Sequence, residues 1–149
     1  MTSNPIDRQP LAATRHYIPH FGTGGWRELI GQGFDRANVE LVGTALARKM
    51  KREQVAELGV VIGFDRRFLS DEAARWLACV LAGSDIPVRL ITRQAPTPLV
   101  MFTVARHGLP YGLSVTASHN PALYNGIKVF TAGGRDADEA CTHSLEQDI

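Results

Sequence analysis

The stretch Thr116-Ala117-Ser118-His119-Asn120-Pro121, followed by Tyr124-Asn125-Gly126-Ile127-Lys128-Val129, gathers a hydroxyl, an imidazole, an amide and an ammonium between two apolar runs. Such polar density at a strand end usually marks a site rather than a core. A serine in this position can accept and return a phosphoryl group if cations neutralise the phosphoryl oxygens, because phosphoryl transfer depends chiefly on positioning and electrostatics. Lys128, His119 and Arg27 are suitable cations, and Asn120-Pro121 is a turn-starting pair that lifts the serine out of the sheet edge. The loop reads as phosphate chemistry on Ser118, against the plain alternative of a serine that caps a polar turn.

Each neighbour carries a similar choice. His119 suits general acid or base work near neutrality, yet a loop histidine is often only solvated. Its adjacency to Ser118 argues against a hydrolase pair, in which nucleophile and base face each other from separate segments, and no Gly-x-Ser-x-Gly elbow surrounds Ser118. Lys128 alternates with Ile127 and Val129 on a presumed strand, so it points away from them, either as a site lysine or as an ordinary exposed one. Gly22-Thr23-Gly24-Gly25 lacks both the Gly-Lys-Ser/Thr ending and the dinucleotide spacing of nucleotide-binding loops. Arg67 is either a ligand contact or the structural partner of a carboxylate.

These residues need elements to position them. Tyr17-Ile18-Pro19-His20-Phe21 reads as an extended lead-in, with the Gly-rich loop at its end. Asp35 is a plausible cap for a helix carrying Val39, Val42, Leu46 and Met50 at helical spacing, with Lys49, Lys51 and Arg52 at its C-terminus. Leu58–Phe64 is a short continuous apolar run, the pattern of a strand covered on both faces, and ends at Asp65-Arg66-Arg67. Ser70 is read as the cap of a second helix closed by Gly83. Ile86–Ile91 follows as a strand, and Ala95-Pro96-Thr97-Pro98 begins a third helix running to about His107-Gly108. Tyr111–Thr116 and Gly126–Phe130 are strands flanking the Ser118 loop, and a polar segment from about Asp136 forms a terminal helix. This order predicts an α/β fold, a three-layer α/β/α sandwich with a mostly parallel (mixed) sheet. The loops at 22–27, 65–67 and 117–125 all follow strand candidates and are expected to converge at the carboxyl edge, where ligands bind.

The chain of 149 residues fits one domain with one core, spanning 13–149 after a loose tail at 1–12. Its 16 basic and 15 acidic residues nearly cancel, and no basic run provides a footprint for nucleic acid or an anionic membrane. Cys79 and Cys141 form neither a metal knuckle nor a disulfide framework, which favours a reduced, cytoplasmic setting. No run approaches the ~18–20 apolar residues of a membrane helix, and the first residues lack the apolar stretch of a signal peptide.

Together Phe21-Gly22-Thr23-Gly24-Gly25-Trp26-Arg27, Gly63-Phe64-Asp65-Arg66-Arg67, Ala95-Pro96-Thr97-Pro98, Thr116–Pro121 and Tyr124–Val129 resemble, in order, the N-terminal domain of the α-D-phosphohexomutases, the phosphoglucomutase/phosphomannomutase family. The resemblance implies reversible movement of phosphate between the 1- and 6-positions of a hexose, glucose or mannose, through a sugar 1,6-bisphosphate. It implies that Ser118 carries the phosphoryl group, that Lys128 is the general acid/base, that Arg27 supports the phosphoserine, and that His119 assists proton transfer. Thr23, Gly24, Asn120, Asn125 and Arg67 fall in its phosphate- and substrate-binding segments. One Mg²⁺ would bind a phosphoserine oxygen. Gly24 stands where many relatives have serine, and Arg66 where threonine is common.

Relatives of this kind have several domains, with an Asp-rich Mg²⁺ loop and a sugar-discriminating loop in later ones. No Asp-Gly-Asp-Gly-Asp element occurs here, so the chain is expected to be a first domain, inactive alone, whose partners are a phosphosugar and the remaining domains. A phosphoglucosamine or phosphopentose mutase domain, or a non-catalytic phosphosugar-binding module, are the alternatives.

Overall fold

The structure is a computed structural model, and it describes residues 17–22 and 25–149. The expected tail at 1–12 lies outside the described residues. In chain order the elements are β1 (Trp26–Leu29), α1 (Arg36–Arg52), β2 (Val60–Phe64), α2 (Ser70–Ala82), β3 (Val88–Leu90), α3 (Thr97–His107), β4 (Tyr111–Val115), β5 (Tyr124–Thr131), β6 (Arg135–Asp136) and α4 (Glu139–Glu146). No helix among the described residues is long and apolar enough to cross a membrane.

The sheet order is β1-β5-β4-β2-β3, with β6 also on β5. β2 pairs in parallel with β3 and β4, while β5 pairs antiparallel with β1, β4 and β6. β5 alone therefore runs against the other strands, so the sheet is mixed yet nearly all its strands share one direction. β2 and β4 are buried along their whole lengths, as strands with a covered layer on each face must be.

Alternation along the strands feeds two cores. Val60, Ile62, Leu113, Ile127 and Val129 pack with Trp26, Phe34 and the apolar faces of α1 and α2. Val61 and Phe130 turn the other way, onto Val100 and Val104 of α3. Burying each large apolar side chain is worth about 1.5–3 kcal/mol, and the Trp26 and Phe34 rings, 5.5 Å apart and both fully buried, anchor the edge strand β1. The short α4 is held to α1 by polar bonds: Arg52 Nη2 lies 2.8 Å from Asp148 Oδ2, and Lys49 Nζ donates to Ser144 Oγ at 3.2 Å.

Three local expectations change. The segment 17–21 forms no strand; Gly22 and Gly25 exchange backbone hydrogen bonds at 3.2 Å, and the strand β1 comes after this loop rather than before it. The signal was weak because Trp26-Arg27-Glu28-Leu29 lacks the period-two alternation of a half-buried strand. Ser70 is the first residue of α2, not its cap; Leu69, at φ +63°, precedes it and makes no capping bond. Asp136 belongs to β6, and the terminal helix starts later, with the Asp138 carboxylate accepting from the Cys141 N–H.

Candidate functional site

Ala117–Asn120 form a tight turn closed by the Asn120 N–H donating to the Ala117 carbonyl at 3.0 Å. Ser118 takes its first central position at φ +56°, a conformation usually left to glycine and costly for other residues. The Thr116 Oγ1 accepts from the Ser118 N–H at 3.0 Å, fixing the backbone from below. The side chain is thereby exposed at the carboxyl end of β4. Its Oγ lies 3.3 Å from His119 Nδ1, so the adjacent pair does make contact, and the exposed imidazole can exchange a proton with the hydroxyl. No carboxylate orients the ring among the described residues, which leaves it unlike a hydrolase triad.

Arg67, in the turn between β2 and α2, holds this loop. Its Nη1 donates to the carbonyls of Pro121 and Tyr124 at 2.8 and 3.0 Å, and its Nη2 to those of Ser118 and Asn120 at 2.9 and 2.7 Å. Its Nε faces Asp65 Oδ2 at 3.4 Å. Both terminal nitrogens of Arg67 thus make two bonds each to loop carbonyls, so its fork is occupied by protein in this arrangement. Asn125 is equally committed: fully buried, it donates from Nδ2 to the Phe68 carbonyl and to Ser70 Oγ, and accepts from the Gly126 N–H. Ser70 Oγ passes the chain on to Asp65 Oδ1 at 2.8 Å. Asn125, Ser70, Asp65 and Arg67 form one polar strut behind the loop. Sequence reading assigned no role to Asp65 and took Ser70 for a cap; the one available signal was an acid directly after a buried strand.

Arg27 and Lys128 lie on one face of the sheet. Lys128 pairs in register with Ser114, and Arg27 with Gly126. A Cβ on Gly126 would stand 2.1 Å from the Trp26 carbonyl oxygen and 3.1 Å from Arg27 Cγ, so the missing side chain lets Arg27 lie across β5. From there Arg27 Nη1 reaches Asn120 Oδ1 at 3.4 Å, while its buried Nε has no partner among the described residues. Gly25, at φ +132°, packs against the backbone of Ile127 and Lys128, so it meets β5 from the side and not at a strand's carboxyl end. Thr23 and Gly24 lie outside the described residues. The Lys128 ammonium, 18% exposed, sits 2.8 Å from Asp136 Oδ1 and 5.5 Å from the Phe130 ring centroid. Asp136 opposes Phe130 in the β5–β6 hairpin, and Lys128 is its diagonal neighbour. The Gly133-Gly134 pair after an apolar strand was the sequence sign of that hairpin.

A cleft of about 660 Å³ bordered by Asp65, Arg66, Arg67, Phe68, Asn120 and Ala122 opens beside the Ser118 loop. A larger one of about 820 Å³, between residues 20–22 and α4, is lined by Asp138, Glu139 and Glu146. In the smaller cleft Asp65 is engaged by Arg67 and Ser70 and Arg66 adds a cation, whereas the larger gathers three carboxylates beside His20 and His143, so the cleft beside the serine suits an anion better. Among the described residues no group of three or more His, Cys, Asp or Glu side chains could hold a metal ion, and Asp65 is already bound to Arg67 and Ser70.

Residues 19–149 match the family model described as phosphoglucomutase/phosphomannomutase, alpha/beta/alpha domain I. The chain belongs to the phosphoglucomutase/phosphomannomutase family. A Schizosaccharomyces pombe protein named as a probable phosphoribomutase is 41% identical over 131 residues, covering 82% of this chain and 22% of that protein. A Staphylococcus aureus phosphoglucomutase is 38% identical over 134 residues, covering 85% of this chain and 24% of the relative. Among solved structures, one from Thermus thermophilus named as a putative phosphomannomutase superposes with a TM-score of 0.82 at 35% identity, covering 87% of this chain and 29% of the other. A Burkholderia thailandensis family member at 24% identity shares the fold, with a TM-score of 0.72 over 91% of this chain and 30% of its own. The chain thus spans about a quarter of the length of the curated relatives it matches.

Proposed function

We propose that this family domain is the phosphoserine-bearing first domain of a hexose-phosphate mutase, with Ser118 as the phosphoryl carrier. The carrying observation is the Ser118 turn, which presents an exposed hydroxyl on an immobilised backbone in a chain of this family. The phosphoryl group on Ser118 Oγ passes to a free hydroxyl of the sugar monophosphate: the Oγ–P bond breaks, a sugar O–P bond forms, and the proton lost by the sugar hydroxyl is balanced by the one that Ser118 Oγ gains. Return of the other phosphate from the bisphosphate restores phosphoserine and completes the exchange. His119, in contact with Oγ, handles the proton at that oxygen. Arg27 and Lys128 supply positive charge on the same sheet face, where it stabilises phosphoryl oxygens. Asn120, within reach of Arg27, orients that guanidinium.

Mg²⁺, when bound to the phosphoserine oxygen, would offset phosphoryl charge, with its other ligands outside this chain. Residues 13–149 are read as domain 1, and the remaining domains supply the rest of the metal site and the choice of sugar. Free Cys79 and Cys141 accord with a cytoplasmic protein.

A pentose phosphate is the second reading, favoured by the S. pombe relative's printed name. The test is turnover by the full-length protein given Mg²⁺ and catalytic sugar bisphosphate. Conversion of glucose 1-phosphate to glucose 6-phosphate is expected. Conversion of ribose 1-phosphate alone would select the second reading, and binding of either sugar without conversion would leave a phosphosugar-binding module.

A further inference from the structure

We infer that Arg67, braced by Asp65, is the positioning residue that sets the orientation of Ser118 for phosphoryl transfer; the inference rests on the phosphoserine reading above. Four carbonyls of one loop, at Ser118, Asn120, Pro121 and Tyr124, converge on a single guanidinium that comes from a turn more than fifty residues earlier. The bonds to the Ser118 and Asn120 carbonyls fix the 118–119 and 120–121 peptide planes, and the turn bond from the Asn120 N–H to the Ala117 carbonyl holds the plane between them. A planar fork with paired donors on each terminal nitrogen can span these acceptors; the three donors of an ammonium cannot serve all four.

The brace is anchored outside the Ser118 turn. Asp65 Oδ1 accepts from the Arg67 N–H at 2.9 Å and from Ser70 Oγ at 2.8 Å, and Ser70 is joined in turn to Asn125, buried at the start of β5. The same strut bonds the Phe68 carbonyl, next to Leu69. Ser118 and Leu69, both left-handed at φ +56° and +63°, are therefore flanked by its bonds. Ser118 needs such support, because its own backbone preference opposes the conformation that exposes Oγ. With Arg67 removed, the four carbonyls turn toward water and the turn relaxes. A shift of about 1 Å in a reacting group costs on the order of 10²-fold in rate. Arg67 works through backbone, so its loss lowers kcat with little change in KM.

The test uses the full-length protein with serine labelled in its backbone carbons, as wild type, Arg67→Gln, Arg67→Lys and Asp65→Asn, with Ser118→Ala to assign the signal. Two readings are taken: the Ser118 backbone carbon shifts, which report the left-handed turn, and the rate at which Ser118 gains phosphate from sugar bisphosphate, by intact mass. In Arg67→Gln the shifts are expected to move toward extended values and the phosphorylation rate and kcat to fall roughly 10²-fold, with KM for the sugar phosphate nearly unchanged. Arg67→Lys is expected not to restore either reading. Unchanged shifts and rate in folded Arg67→Gln overturn the inference. If that variant does not fold, Asp65→Asn decides: a lower kcat at constant KM supports the inference, and wild-type kcat overturns it. A wild type that gains no phosphate refutes the mutase reading, and the carbon shifts then decide the positioning role alone.

Discussion

At the scale of single residues, the site depends on positions where a side chain is either strained or forbidden. Ser118 at φ +56° carries a cost of about 1–3 kcal/mol that glycine would not. Glycine adds unfolded-state entropy of about 0.5–1 kcal/mol in return. Ser118→Gly is therefore expected to shift unfolding free energy by no more than about 2.5 kcal/mol in chemical denaturation, while removing the proposed phosphate acceptor. A larger stability loss would mean that the hydroxyl itself holds the loop. Gly126 is the opposite case, since a Cβ there would meet the Trp26 carbonyl oxygen at 2.1 Å. Gly126→Ala is expected to cost at least ~1–3 kcal/mol in the same measurement, because β1 must move with Arg27 to make room. A wild-type midpoint would show that β1 does not depend on this close approach. Ser118, His119, Lys128 and Arg27 stood out as candidates in the sequence because each offers a reactive or charged group beside an apolar run. The task of Arg67 was not legible there, because its bonds link residues 67 and 118–124 across a fold that local spacing cannot encode.

At the scale of elements, α4 and the C-terminal end of α1 are joined by ionised groups. The Arg52 guanidinium holds the Asp148 carboxyl below the usual carboxylate range, against a small opposing effect of burial. Burial works to raise the Glu53 carboxyl, but hydrogen bonds from Lys49 and the Tyr111 hydroxyl outweigh it and hold Glu53 low as well. Burial and the Glu53 contact push the Tyr111 hydroxyl up, so it stays a donor. Both carboxyls have folded pKa values below their unfolded ones. Their stabilisation is complete above the ordinary carboxylate pKa, about 4, and is lost as pH falls through the lowered folded values. Hydrogen exchange of α4 amides, corrected for intrinsic rate, is expected to accelerate below about pH 4 before the amides of β2 and β4. Equal protection of α4 and β4 down to acid unfolding would contradict this. The long elements were readable from the sequence because caps and periodicity agreed: Asp35 opens α1, and Gly108, at φ +60°, closes α3. β1 and β6 escaped because a four-residue and a two-residue edge strand carry too few positions to show a period. Their pairing is decided by β5.

At the scale of the whole molecule, the domain on the proposed reading supplies a phosphate carrier and positive charge but only part of a catalytic centre. The chain spans 22% of the S. pombe relative and 24% of the S. aureus one. The family and the α/β/α layering could be read from ordered motifs, whereas the sugar could not, because no motif in this chain distinguishes a hexose from a pentose. The purified 149 residues are expected to show no conversion of glucose 1-phosphate to glucose 6-phosphate in a coupled assay that detects the full-length protein readily. Turnover by the isolated chain would show that the site is complete within it. The central claim, that Ser118 carries the phosphoryl group, is tested most directly by intact-mass analysis of the full-length protein after incubation with a sugar 1,6-bisphosphate and Mg²⁺. The account predicts one added phosphate on the wild type and none on Ser118→Ala. A phosphate retained by Ser118→Ala, or none on the wild type, would contradict it.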